Sequence, residues 1–128
     1  MAHYAELNDN NEVIYVIYMD NETITDENGQ EDEQLGIVHL HKHHGSHRRW
    51  VRTSYGGNFR GVYAGIGSLY LEDLDVFTYP KPHESWILDK NTLDWNPPIP
   101  YPNPLDGKDY YWDEEQYKLN NNGWVLES

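Results

Sequence analysis

The second half of the chain repeats one pattern three times: an aromatic strand, an acidic or polar turn, and another aromatic strand. The copies occupy residues 70–77, 86–95 and 110–126, and the first two end in proline-rich stretches at 79–82 and 97–102. Aromatic residues favour strands, and Asp, Asn and Gly favour turns, so the pattern predicts serial β-hairpins. Because proline cannot donate to a sheet ladder, its clusters predict extended spacers between separate ribbons.

Hairpin geometry converts the first two copies into specific cross-strand pairs, because residues two apart on a strand share a face. A four-residue loop at 72–75 predicts Tyr70 opposite Phe77 and Leu71 opposite Val76. A four-residue loop at 89–92 predicts Leu88 opposite Leu93 and Trp86 opposite Trp95. The third copy has a longer, polar loop that includes residues 120–123.

The first half predicts a strand pair and one helix. Residues 12–19 are a continuous β-branched and aromatic run, which predicts a strand buried on both faces, paired with residues 4–7 across the turn formers at 8–11. Residues 31–44 predict a helix with acidic residues in its first turn, basic residues in its last and Gly45 as its stop.

Leu35, Val38 and His39 are expected on one face of that helix, with Leu40 nearby. Residues 49–54 return to strand, and 55–58 form a turn. The predicted fold is therefore a β-rich α+β fold, with an N-terminal α+β domain over residues 1–67 and an arm of aromatic hairpins joined by Pro-rich spacers over 68–128. The alternative is that both parts form one continuous domain.

Charge is distributed in three blocks. Residues 1–36 hold ten carboxylates and no Lys or Arg; residues 35–71 hold no carboxylate; from Glu72 onward twelve carboxylates face four lysines. The middle block contains a basic patch, Arg48, Arg49, Arg52 and Arg60. One interpretation is neutralisation of this patch by the acidic flanks; the other is a dipolar surface that meets an acidic protein partner. A net charge of −13 disfavours nucleic acid as a partner.

The composition limits the classes of site. The chain has no cysteine, which excludes disulfides and thiolate metal sites. No apolar run approaches the ~20 residues of a membrane span, so no membrane partner is expected, and the N-terminus lacks a signal-peptide pattern. No nucleotide-binding motif or nucleophile–base pair stands out, so neither an enzyme nor a cofactor is expected.

A histidine-rich segment at residues 39–47 is the one candidate for metal chemistry. His39 and His43 lie one helical turn apart, a spacing that can hold zinc or nickel, and His47 is a candidate third ligand. The alternatives are a solvated helix end whose charge suits the helix dipole, and a protonation switch near pH 6.

The aromatic hairpins are the candidate contact surface. Aromatic side chains that are only partly covered by their own domain are typical of protein interfaces and of sugar-binding platforms. The predicted protein-contact residues are Tyr70, Phe77, Trp86, Trp95, Trp112 and Trp124. A core rich in Tyr and Trp also predicts that a partner, or a further copy of the chain, completes it.

The order of these segments resembles a family of small proteins of tailed phages, especially those of marine cyanophages. The matching stretches are residues 1–8, 50–60, 63–67, 80–82, 85–88, 95–98 and 111–115. The Trp-Pro hairpins are more loosely similar to tail-fibre assembly proteins. The histidine cluster and the long third loop depart from the family pattern.

The resemblance implies a virion-associated protein that is assembled in the host cytoplasm, present in several copies and without catalytic residues. We therefore expect a non-enzymatic protein that decorates or cements the phage capsid or tail through its aromatic hairpins. The alternatives are a glycan-binding tail-fibre component and an assembly chaperone that is absent from the finished particle.

Overall fold

A computed structural model describes residues 1–102 and 107–127. The fold is α+β and rich in strands, with one main helix and several antiparallel hairpins, as predicted. It divides into two compact units, residues 1–80 and 81–128. The predicted boundary at 67/68 falls inside the first unit, because the first aromatic hairpin contributes to that unit's core. Within the described residues, no helix has the length and apolar character needed to span a membrane.

A three-stranded antiparallel sheet forms the centre of the first unit. Strand β1 (Ala2–Leu7) lies between β2 (Val13–Met19) and β3 (Arg49–Thr53). The predicted turn at 8–11 joins β1 to β2, and the Asn8 carboxamide oxygen closes it by accepting from the backbone N–H groups of Asn10 and Glu12. The predicted pairing of the first two strands is confirmed.

The prediction that the second strand is buried on both faces is wrong. Strand β2 lies at the edge of the sheet, and Ile14, Tyr15 and Tyr18 are exposed, whereas β1 is almost entirely buried. A hydrophobic composition indicates that a strand is suited to burial. The order of the strands in the sheet decides which strand is buried. The shorter β1 lies at the centre of the sheet, where it pairs with β2 on one side and with β3 on the other.

Helix α1 (Glu33–His44) and a short 3₁₀ helix (Asn21–Ile24) cover one face of this sheet. Asp32 caps α1 by accepting from the N–H of Gln34 at 2.9 Å, and Gly45 ends it with φ 110°. The core on this face comprises Ala2, Tyr4, Ile24, Leu40 and Trp50.

The helix face that meets the sheet differs from the predicted one. Gly36 and Leu40 are buried, whereas Leu35 and Val38 are exposed. The Tyr4 ring fills the space that a side chain on Gly36 would need, since a Cβ there would lie 2.2 Å from Tyr4 Oη. The glycine gave no apolar signal in the sequence, yet its missing side chain leaves room for the Tyr4 ring between helix and sheet.

The other face of the sheet packs against β4 (Leu69–Leu71), β5 (Val76–Thr78) and the segment before them. This core comprises Ala5, Leu7, Val13, Ala64 and Phe77. The predicted register is confirmed, with Tyr70 opposite Phe77 and Leu71 opposite Val76. The first aromatic hairpin is therefore part of the central core of its unit.

The second unit contains β6 (Ile87–Leu88), β7 (Trp95–Asn96), β8 (Tyr110–Trp112), α2 (Glu114–Asn120) and β9 (Trp124–Leu126). The predicted pairing of Trp86 with Trp95 is wrong, because Leu88 pairs with Trp95. The connecting loop contains six residues instead of four. The Asp89 side chain accepts from the N–H groups of Asn91 and Thr92, which stabilises this wider turn.

The predicted third hairpin is present, and the structure sets its register, with Trp112 opposite Trp124. Its predicted polar loop contains helix α2. Asp113 caps this helix by accepting from the N–H of Gln116, and Asn121 ends it in the left-handed conformation, φ 58°. The Asp and Asn residues that favour turns are thus used as helix caps.

Candidate functional site

The four arginines of the predicted basic patch all pair with carboxylates of the same unit. Arg48 binds Glu6, Arg49 binds Glu72, Arg52 binds Glu31, and Arg60 binds both Glu33 and Asp75. The partners come from both acidic flanks of the sequence. This arrangement matches neutralisation, the first of the two interpretations of the charge blocks.

Arg60 is the most connected of these arginines. Its Nη1 donates to Glu33 Oε1 at 2.7 Å and to the Arg52 carbonyl at 3.0 Å, and its Nε donates to Asp75 Oδ1 at 2.8 Å. Burial lowers the pKa of Arg60, but the bonds to the two carboxylates outweigh it and raise the pKa. The adjacent open cleft of ≈ 440 Å³ is lined by these paired charges together with Phe59 and Leu74.

The histidine segment lies at the end of α1, where the sequence places it. The rings of His39 and His43 are 4.4 Å apart between centroids, whereas His47 lies beside Gly45. Across residues 1–102 and 107–127, no group of three His, Cys, Asp or Glu side chains is placed to hold a metal ion. Burial, followed by the charges of His43, Lys42 and His44, lowers the pKa of His39.

Two of the six predicted aromatic contact residues, Phe77 and Trp112, are buried, and the other four are partly exposed. Phe77 is fully buried and lies 5.1 Å from the Tyr70 ring. In the second unit, Trp112 is 9% exposed and its ring contacts those of Trp86 and Trp124 at 5.9 and 5.2 Å. Trp95 is half-buried, and the Lys81 amine lies 5.5 Å from its ring.

The Glu114 carboxylate links Trp112 to the turn before β6. It accepts from Trp112 Nε1 at 2.9 Å, from Ser85 Oγ at 2.7 Å and from the Ser85 N–H at 3.1 Å. The bond from Trp112, and then that from Ser85, lowers the pKa of Glu114. Both the hydroxyl and the N–H of Ser85 donate to this carboxylate, and these bonds stabilise the turn before β6.

A second aromatic group, missed in the sequence, lies at the surface of the first unit. His3 is surrounded by Tyr55, Tyr63 and Tyr18, at ring-centroid distances of 5.4, 5.6 and 6.0 Å. Tyr55 is 73% exposed and Tyr18 62% exposed. We call these four residues the tyrosine patch.

Strand pairing and chain reversal together build the tyrosine patch. His3 pairs with both Tyr18 and Thr53 in the sheet, and the turn after Thr53 brings Tyr55 onto the same side. The predicted hairpin of the first two strands began at Tyr4 and had no stated register, so it did not place His3. The observed register, which shifts between Glu6 and Leu7, puts His3 opposite Tyr18. No local signal joins Tyr55 or Tyr63 to them, because that contact depends on β3 and the connection that follows it.

The surroundings of the tyrosine patch favour the neutral forms of His3 and Tyr63. Burial, with the nearby N-terminal amine, lowers the pKa of His3 below 6.5, and burial raises the pKa of Tyr63 above 10. Desolvating neutral rings costs far less than desolvating ions. The patch therefore has the physical character of a contact surface.

Comparison with known proteins identifies no relative: no family model, no curated protein and no solved structure matches the chain.

Proposed function

We propose that this chain is a non-enzymatic structural protein of a tailed-phage virion, which decorates or cements the capsid or tail by protein–protein contact. The observation that supports a contact role is the tyrosine patch. It gathers large, exposed and mutually supported rings at one place, and such rings are enriched where protein interfaces carry most of their binding energy.

The contact surface proposed here differs from the one predicted from the hairpins. Phe77 and Trp112 are buried by their own units, so they act on a partner only through the surfaces that they support. The side chains of Tyr18 and Tyr55 are exposed, and the ring of each contacts the ring of His3. Because these rings are already ordered by their neighbours, a partner that covers them loses little side-chain entropy.

The first experiment is mass spectrometry of purified particles with copy-number measurement. A structural protein is recovered in fixed copy number, with many copies indicating the capsid shell and a few indicating the tail. Recovery from the infected-cell lysate alone, and never from particles, would contradict the proposal and indicate an assembly chaperone.

The second experiment compares particle incorporation of two variants. Tyr18→Ala with Tyr55→Ala removes the exposed rings of the tyrosine patch, and we expect incorporation to fall by about tenfold, the effect of losing roughly 1.4 kcal/mol of binding. Ile66→Ala is the matched control, since Ile66 is equally exposed in the same unit at 73%. Equal incorporation of both variants would exclude the tyrosine patch as the docking surface.

Glycan binding by a tail-fibre component is the second candidate function, favoured by the geometry of Tyr55. One face of its ring stacks on His3 at an interplanar angle of 27°, and most of the side chain is open to solvent. Sugars stack on such rings. Binding of the purified protein to host envelope glycans, lost on Tyr55→Ala, would favour this function; binding to stripped capsids or tails would favour the structural one.

A further inference from the structure

Strand β2 has an unusually unprotected outer edge. Its seven residues, Val13–Met19, contain no charge, no proline and no glycine, although β2 is an edge strand. Natural edge strands normally carry a lysine, a proline or a twist that prevents another strand from pairing with them. In β2 the bulge at Ile14 protects only the beginning of the strand, so the edge from Tyr15 to Met19 is suited to pairing with a further strand.

Most of that edge is open within the part of the chain that the structure describes. The connection before β4 covers only its beginning, where the Val13 N–H donates to the Ser68 carbonyl and the Gly67 N–H donates to the Val13 carbonyl, both at 2.8 Å. Among residues 1–102 and 107–127, no further strand lies along residues 14–19. At about 3.4 Å per residue, these six residues offer roughly 20 Å of edge.

The exposed side chains of β2 supply specificity along this edge. Ile14, at a bulge in the pairing with β1, is 47% exposed, and Tyr18, at the other end, belongs to the tyrosine patch. An added strand would therefore make main-chain hydrogen bonds in the middle and apolar contacts at both ends. This combination is how extended peptides bind to sheet edges.

Charge indicates which strand the edge accepts. Exposed carboxylates flank β2 at both ends, Glu12 before it and Asp20 and Glu22 after it, and none of the three forms a salt bridge within the described residues. If a second copy paired antiparallel about Val16, its Asp20 would lie opposite Glu12. The resulting repulsion, in a chain of net charge −13, disfavours self-pairing.

We propose that the open edge of β2 binds an extended segment of a partner protein, with alternating apolar residues in its middle and Lys or Arg at its ends. This inference rests on the proposed structural function and names the docking surface and the chemistry of the partner. The basic ends would meet Glu12 at one side and Asp20 with Glu22 at the other, which fixes the register of the added strand.

The test uses a synthetic peptide of alternating valine and threonine with lysines at both ends, and a counterpart with glutamates at both ends. Hydrogen–deuterium exchange of the intact protein is measured with each. We expect the lysine peptide to slow exchange of amides within residues 14–19, and the glutamate peptide to leave them unchanged. Absence of protection by the lysine peptide overturns the proposal, and equal protection by both overturns its charge specificity.

Variants of the protein distinguish peptide binding at the edge of β2 from non-specific peptide binding. Ile14→Lys with Tyr18→Lys places protecting lysines on the edge, and we expect peptide affinity to fall by about tenfold or more. The matched control, Ile66→Lys with Leu119→Lys, changes residues of comparable or greater exposure elsewhere and should bind as the unmodified protein does. Exchange of β1 amides verifies that the sheet is intact in both. Equal affinities overturn the proposal.

Two further outcomes distinguish this inference from the function on which it rests. If the edge variant fails to bind peptide but enters particles normally, the edge is not the docking surface, while the structural function stands. If the unmodified protein is absent from particles but binds the lysine peptide at β2, the proposed function fails and the edge site stands. A dimer in analytical ultracentrifugation that the edge lysines abolish would identify a second copy as the occupant and overturn the proposal.

Discussion

Glu6, on the central strand of the first unit, is held by Arg48, whose Nε donates to Glu6 Oε2 at 2.8 Å. Glu6 is 9% exposed, and the Arg48 guanidinium also lies 5.0 Å from the Trp50 ring. The hydrogen bond to Glu6 is the main reason that the pKa of Arg48 is raised. A carboxylate on the largely buried central strand is thus stabilised by a residue 42 positions away in the sequence.

Replacing Arg48 with alanine should destabilise the first unit, because it leaves the mostly buried Glu6 carboxylate without its cation. We expect the free energy of unfolding to fall by about 3 kcal/mol. Urea denaturation measures it. Arg49→Ala is the matched control, since Arg49 and Glu72 are 42% and 62% exposed and such pairs contribute about 1 kcal/mol at most. A similar loss in both variants would contradict the role assigned to Glu6.

Gly36→Ala should destabilise the protein even though alanine is the better helix former. Helix propensity alone would add about 1 kcal/mol, but the new Cβ would meet the Tyr4 ring, and overpacking costs about 1–3 kcal/mol. Gly65→Ala is the control, since nothing lies within 4 Å of a Cβ there. Thermal unfolding should show a lower Tm for the first variant only; a raised Tm for Gly36→Ala would show that the helix can move away from the sheet.

Stability should fall steeply between pH 10 and pH 12. Burial raises the pKa of the fully buried Tyr4 from 10.0 to about 12. Because the folded state holds this proton more tightly, the contribution is complete below pH 10 and is lost as pH rises towards 12; two pKa units correspond to roughly 3 kcal/mol.

Tyr4→Phe tests this pH dependence. The variant loses the hydrogen bond to the Glu33 carbonyl, so it should be less stable at pH 7, but its stability should decline less between pH 10 and 12. Tyr111→Phe, at an exposed tyrosine, should keep the full decline. Denaturant melts at several pH values give the slopes, and parallel curves for all three proteins would refute the assignment to Tyr4.

Trp112→Ala should disrupt the second unit far more than Ile87→Ala. Trp112 packs against several rings and donates to Glu114, and removing a buried tryptophan costs about 3–5 kcal/mol. Ile87 is 61% exposed, so its truncation should cost little. Near-ultraviolet circular dichroism and amide exchange at β8 and β9 report the difference. Retention of the aromatic signal in Trp112→Ala would show that the other rings suffice.

Local sequence patterns predicted the structure correctly where it depends on residues close together in the chain. The first hairpin has the predicted register because its four-residue loop fixes which residues face one another. The second does not, since the Asp89 side chain organises a six-residue turn in which Leu93 adopts φ 62°. Turn residues thus predict that a hairpin exists more reliably than they predict its register.

The sequence by itself determined the strand-rich α+β class, the strand pair at the N-terminus, the main helix and the charge blocks, because each depends on residues close together in the chain. Tertiary structure alone decided that β2 is an edge, that Gly36 faces the sheet, and which carboxylate each arginine binds. It also decided that Tyr55 and Tyr63 join His3 and Tyr18. These outcomes depend on the order of the strands and on how the chain connects them. The contacts that stabilise them join segments far apart in the sequence, and no local pattern encodes such contacts.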